Sequence, residues 1–120
     1  ILSAKQIGMA LGSIASYAAA KDVPFVRIIF CDAKATDAGY LAPEDIAGRV
    51  KVTGRGGTIL QPGVDCLEQA NDFPKDGPIL IITDGEIEND LKIRREHAFL
   101  LPRGNRLPFR ARGEVFYFRE

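Results

Sequence analysis

The sequence has little of what marks specialised chains: one histidine, one methionine, two cysteines, no net charge and no long apolar run in 120 residues. Each scarcity excludes something. The single histidine, His97, opens a strand-like segment with no catalytic companion beside it, so no nucleophile-and-base constellation is visible and an enzyme is not expected. No apolar stretch approaches the roughly 18 residues of a membrane-spanning helix, so no membrane partner is expected. Cys31 and Cys66 stand far apart in apolar contexts, one at a strand end and one inside a helical pattern. They read as reduced structural thiols, which predicts a cytoplasmic setting.

Zero net charge removes any bulk attraction to nucleic acid, yet the charge is unevenly spread. Through Leu91 there are 13 acids and 8 bases, a balance of −5; from Lys92 onward 8 bases face 3 acids, a balance of +5. Arg94, Arg95, Arg103, Arg106, Arg110 and Arg112 fall in that basic stretch. Aromatic interleaving is poor, so a solvated or partner-binding face is expected there and nucleic acid is not. The chain opens on Ile1, already in helical pattern, and its one methionine is Met9. This start predicts a fragment of a longer polypeptide.

What is present is α/β patterning on a scale that fits one domain. Ile7, Leu11, Ile14 and Ala18 recur at helical spacing, beside a small-residue row of Gly8, Gly12 and Ser16 that predicts a close approach to a sheet. Phe25 to Phe30, broken by Arg27 alone, predicts a strand buried on both faces. Ala33 to Gly48 reads as a connecting excursion with a helix start at Pro43, and Arg49 to Thr53 as an exposed edge strand. Leu60, Val64 and Leu67 share one helical face, with Pro62 tolerated in the first turn and an end near Asn71 to Pro74. Ile79 to Ile82 is the clearest buried strand, and Ala98 to Leu101 and Val115 to Phe118 are two more. The order implies a mostly parallel sheet flanked by helices on both faces, Rossmann-like. A strand normally feeds a helix such as the first, so the sheet is expected to lack its first member in this chain.

Two loops sit where strands end. Gly54-Arg55-Gly56-Gly57-Thr58 leads into a helix, and Thr83-Asp84-Gly85 closes the run Ile79 to Ile82. Ligands of open α/β sheets gather at the carboxyl ends of parallel strands, so the Thr58 hydroxyl and Asp84 carboxylate are candidate oxygen ligands for magnesium or manganese. Gly56, Gly57 and Gly85 shape those loops. The plainer reading of each loop alone is a turn, with Thr58 a helix cap. A second reading has Gly54 to Thr58 wrap a phosphate or nucleotide at the helix N-terminus, as in an α/β enzyme domain. No Walker lysine follows the glycines, and the dinucleotide glycine spacing is absent.

The Gly-Gly-Thr loop, the proline-containing helix after it and the apolar strand ending in Thr83-Asp84-Gly85 resemble a von Willebrand factor A-type (VWA-like) domain of the bacterial branch. Phe30-Cys31-Asp32 is similar to the end of that branch's second strand. The resemblance implies a metal-ion-dependent adhesion site with Thr58 as second-loop ligand and Asp84 as third-loop carboxylate. It also implies an Asp-x-Ser-x-Ser motif, absent here and expected just upstream of Ile1. A cation so held keeps an open position for an acidic side chain of a partner protein, so the resemblance implies recognition without turnover, in the cytoplasm and alongside a ring-forming ATPase. A metal-free scaffold that keeps the fold for assembly alone is the remaining alternative.

Overall fold

Helix α1 starts where its sequence lets it. The computed structural model describes residues 2–31, 35–46 and 59–119, and α1 covers Ala4–Ala20. Ser3 and Gln6 form a reciprocal capping box: the Gln6 amide donates to Ser3 Oγ at 3.1 Å and the Ser3 amide donates to Gln6 Oε1 at 2.9 Å. Two otherwise orphaned amides are thereby satisfied. The helix stops at Lys21, and Asp22 follows in the left-handed region at φ 56. Ala10, Leu11 and Ala18 are its buried positions. The small-residue row does not bring it onto the sheet: Ser16 is exposed, and a Cβ at Gly12 would meet nothing within 4 Å. Contact runs instead through the Ile7, Leu11 and Ala15 face.

Strand β1 (Val26–Cys31) pairs antiparallel with β2 (Ala35–Leu41). Two expectations change here. The segment from Ala33 onward holds a strand as well as a connection, and β1 belongs to a hairpin, with all six residues half-buried. The hairpin is fastened by polar bonds that propensity does not report. Arg27 forms an ion pair with Asp37 at 2.6 Å, another with Asp72, and lies 5.2 Å from the Tyr40 ring centroid. Hydrogen bonds from the guanidinium hold both carboxyls below the usual carboxylate range. Tyr40 Oη donates to the Asp72 carbonyl at 2.6 Å, which ties the hairpin to the turn after α3.

Short helix α2 (Pro43–Ile46) begins at the expected proline and buries Ile46 completely. Helix α3 (Gln61–Gln69) carries Pro62 in its first turn, as expected, and ends slightly before the anticipated stop. It presses on β1 at Gly63, where an added Cβ would stand 2.4 Å from Cys31 Sγ. That glycine, outside the predicted row, marks a close helix–strand approach. The expected edge strand Arg49 to Thr53 lies outside the described residues.

A second sheet has β3 (Ile79–Ile82), β4 (His97–Pro102) and β5 (Glu114–Phe118) in that order, all parallel. Among the described residues, no helix fills the crossovers 83–96 and 103–113. The parallel sheet expected of the chain is therefore present in three strands. One face of it, with Ile79, Ile81, Phe99 and Leu101, forms a core cluster with Leu60 and packs against Leu67 of α3. Ile82 turns the other way and packs against the Leu11, Leu41 and Ile46 cluster. The chain is thus an α/β domain. Among the described residues no helix is long and apolar enough to cross a membrane.

Candidate functional site

The carboxyl end of β3 carries the one predicted ligand that the structure describes. Thr83 is buried, and its Oγ1 accepts the Gly85 amide at 3.1 Å. Asp84 is half-buried; its Oδ1 accepts the Glu86 amide at 2.9 Å and its carbonyl accepts Asn105 Nδ2 at 2.8 Å. Gly85 is buried at φ 92. Two successive side-chain-to-backbone turns thus fix the direction in which the Asp84 carboxylate leaves the strand. Thr58, Gly56 and Gly57 lie outside the described residues. No group of three His, Cys, Asp or Glu side chains suited to a metal forms among the described residues. A single carboxylate such as that of Asp84 is short of what a hard cation requires.

Sequence reading missed Glu88. Its carboxylate accepts the Leu60 amide at 2.9 and 3.0 Å and the Gln61 amide at 3.0 Å, so an internal acid caps the start of α3. A carboxylate gains there from the unpaired amides and the positive end of the helix dipole. The phosphate reading puts its ligand at this helix N-terminus, where Glu88 bonds the Leu60 and Gln61 amides, while the Gly54 to Thr58 loop it also uses lies outside the described residues. No local pattern announces a bond between residues so far apart in sequence. Glu88→Ala is expected to lower stability by about 1–2 kcal/mol, the usual cost of a lost cap with part-buried donors left unmatched. Urea unfolding measures it.

Next to Asp84 lies a slot of about 930 Å³ between the two sheets, lined by all of β1, all of β3, and parts of α1 and α3. Its lining is mostly apolar, with Arg27, Asp72 and Asp84 as its charged residues.

The basic segment divides in two. Arg95 packs over Phe73 at 4.5 Å and donates to the carbonyls of Pro74 and Glu68, while the Arg94 and Arg95 amides donate to Glu68 Oε2 at 2.8 and 3.2 Å. That end braces α3. Arg103, Arg106 and Arg119 instead border a shallow depression beside exposed Phe116 and Tyr117. His97 meets the Arg95 carbonyl at 2.8 Å through Nδ1 and stands edge-on to Phe99, with ring centroids 5.5 Å apart. Cys31 and Cys66 are both half-buried.

Comparison with known proteins finds no matching family model, no matching curated protein and no matching solved structure. The resemblance to VWA-like domains rests on the residues quoted for it.

Proposed function

We propose that the chain is a protein-interaction module of VWA type, a Rossmann-like domain with helices on both faces of its sheet. In this reading its parent protein completes a divalent-cation site with an upstream Asp-x-Ser-x-Ser motif. Asp84 supplies a carboxylate to magnesium or manganese, Thr58 a hydroxyl, and Gly56, Gly57 and Gly85 the loop shapes. The cation's open position takes an acidic side chain of a cytoplasmic partner, for which a ring-forming ATPase system is the candidate. The observation that carries this reading is the Asp84 carboxylate at the carboxyl end of β3, aimed by the Thr83-to-Gly85 turn. Glu88 on the α3 amides favours it over phosphate binding.

The test is thermal unfolding of the full-length protein with and without manganese, magnesium or nucleotide. Millimolar manganese is expected to raise the midpoint, and Asp84→Ala to abolish that rise, because a ligand that binds only the folded state stabilises it by mass action. Stabilisation by nucleotide without metal would overturn the reading. Partner binding that survives both chelator and Asp84→Ala would establish the metal-free scaffold instead.

A further inference from the structure

The carboxyl ends of β4 and β5 bring together cations that the sequence keeps apart. Pro102 and Phe118 are register partners, and the Arg103 amide donates to the Phe118 carbonyl at 2.9 Å, so Arg103 and Arg119 leave the sheet from adjacent strands. The Asn105 amide donates to the Pro102 carbonyl at 3.1 Å, and Asn105 Nδ2 to the Asp84 carbonyl at 2.8 Å. That turn keeps Arg106 on the same rim. All three arginines are exposed and border the shallow depression of about 640 Å³. Among the described residues no acid lines it, and none of the three guanidiniums forms an ion pair. Arg27 and Arg95 differ, for the fold itself uses them on carboxylates and carbonyls.

Aromatic rings stand beside these charges. Phe116 and Tyr117 are 49% and 54% exposed and line the same depression. Successive strand residues point to opposite faces, so one ring lies on either side of β5. Aromatics are sparse within the basic stretch, but the fold supplies them from the neighbouring strand. Gathered like charges repel unless an anion lies among them. An acidic peptide answers the arginines and leaves both rings in water, whereas an apolar segment answers the rings and leaves the charges unmatched. A duplex keeps its bases stacked on one another. A single strand offers phosphate oxygens that fit the guanidinium fork and free base faces that stack on rings, and it is flexible enough to cross the end of β5.

We propose that this rim is a contact site for single-stranded nucleic acid, with Arg103, Arg106 and Arg119 on phosphates and a base on each of Phe116 and Tyr117. Charge and stacking carry the contact, so no base sequence is preferred. The site goes beyond the protein-interaction reading. It needs no cation, and it holds with chelator present.

The experiment titrates the full-length protein, in chelator, into a labelled oligothymidylate of about 12 nucleotides and reads fluorescence anisotropy from ~50 to ~200 mM salt. An abasic phosphodiester strand of the same length is the second probe. Saturable binding that weakens with salt is expected, at least about fivefold weaker for the abasic strand. Replacing both arginines, Arg103→Gln with Arg119→Gln, should make the slope of log affinity against log salt shallower by about 1.4, two phosphate contacts' worth. Phe116→Ala with Tyr117→Ala should weaken binding at least about fivefold and leave that slope unchanged. No binding, equal affinity for the abasic strand, arginine variants that bind as the parent does, or tighter binding of the matching duplex would overturn the proposal. Displacement of the oligonucleotide by polyglutamate at equal charge would also overturn it, and would make the rim a contact for an acidic protein.

Discussion

Replacing Phe99 by alanine is expected to cost about 3–5 kcal/mol of folding free energy, the usual penalty for emptying a buried aromatic site. Phe99 is 1% exposed on the central strand of the parallel sheet. Its ring sits 5.5 Å from His97 and 5.7 Å from Phe109, both edge-on, and it packs within the cluster of Leu60, Ile79, Ile81 and Leu101. Truncation removes the side chain that joins β4 to the 103–113 crossover, and backbone on both sides limits collapse into the hole. At roughly 4 °C per kcal/mol for a domain of this size, the midpoint falls by roughly 12–20 °C. Leu80→Ala is the informative contrast. Leu80 belongs to the neighbouring strand but is 43% exposed, so its truncation is expected to cost about 1 kcal/mol or less. Equal losses at the two positions would mean that the core is drawn in the wrong place.

Gly85→Ala carries the second large effect and acts on the site itself. Gly85 holds φ 92, a conformation unfavourable for a residue with a side chain, and an added Cβ would come within 1.9 Å of the Arg106 carbonyl oxygen. Strain and collision act together, because relief requires the 103–113 crossover to move away from β3. The expected loss is roughly 3 kcal/mol or more. Gly104 provides the control, with φ 95 and nothing within 4 Å of its added Cβ. Gly104→Ala is expected to show the conformational part alone, about 1–2 kcal/mol. The difference between the two variants in urea unfolding measures the contact; if the proposed cation site exists, its manganese stabilisation is expected to be lost with Gly85→Ala and kept with Gly104→Ala.

The elements legible in the sequence were those written in local periodicity. The face of Leu60, Val64 and Leu67 gave α3 with Pro62 in its first turn, and the run Ile79 to Ile82 gave β3. What stayed hidden depends on distant partners. Ala35–Leu41 has little strand propensity, and its register is secured by Arg27 and Asp37 across the hairpin. Apolar composition made β1 and β3 read as buried on both faces; the slot leaves β1 half-buried and Leu80 open. Of the candidate site, Asp84 and Gly85 were visible as a turn after a strand, while Glu88 was invisible because its bonds to α3 leave no local pattern.

The helix-free links between the parallel strands bear on how the chain reaches this structure. Every pairing in the β3–β4–β5 sheet joins residues separated by a whole irregular segment, as Ile79 with His97 and Ala98 with Glu114 show. With no crossover helix to form early and draw neighbouring strands together, loop-closure entropy is spent before any ladder bond repays it. Helix α1, with its local capping box, is free of that delay. The expected order of folding therefore has α1 and the β1–β2 hairpin ahead and the parallel sheet setting the overall rate, which stopped-flow refolding of variants in each element measures.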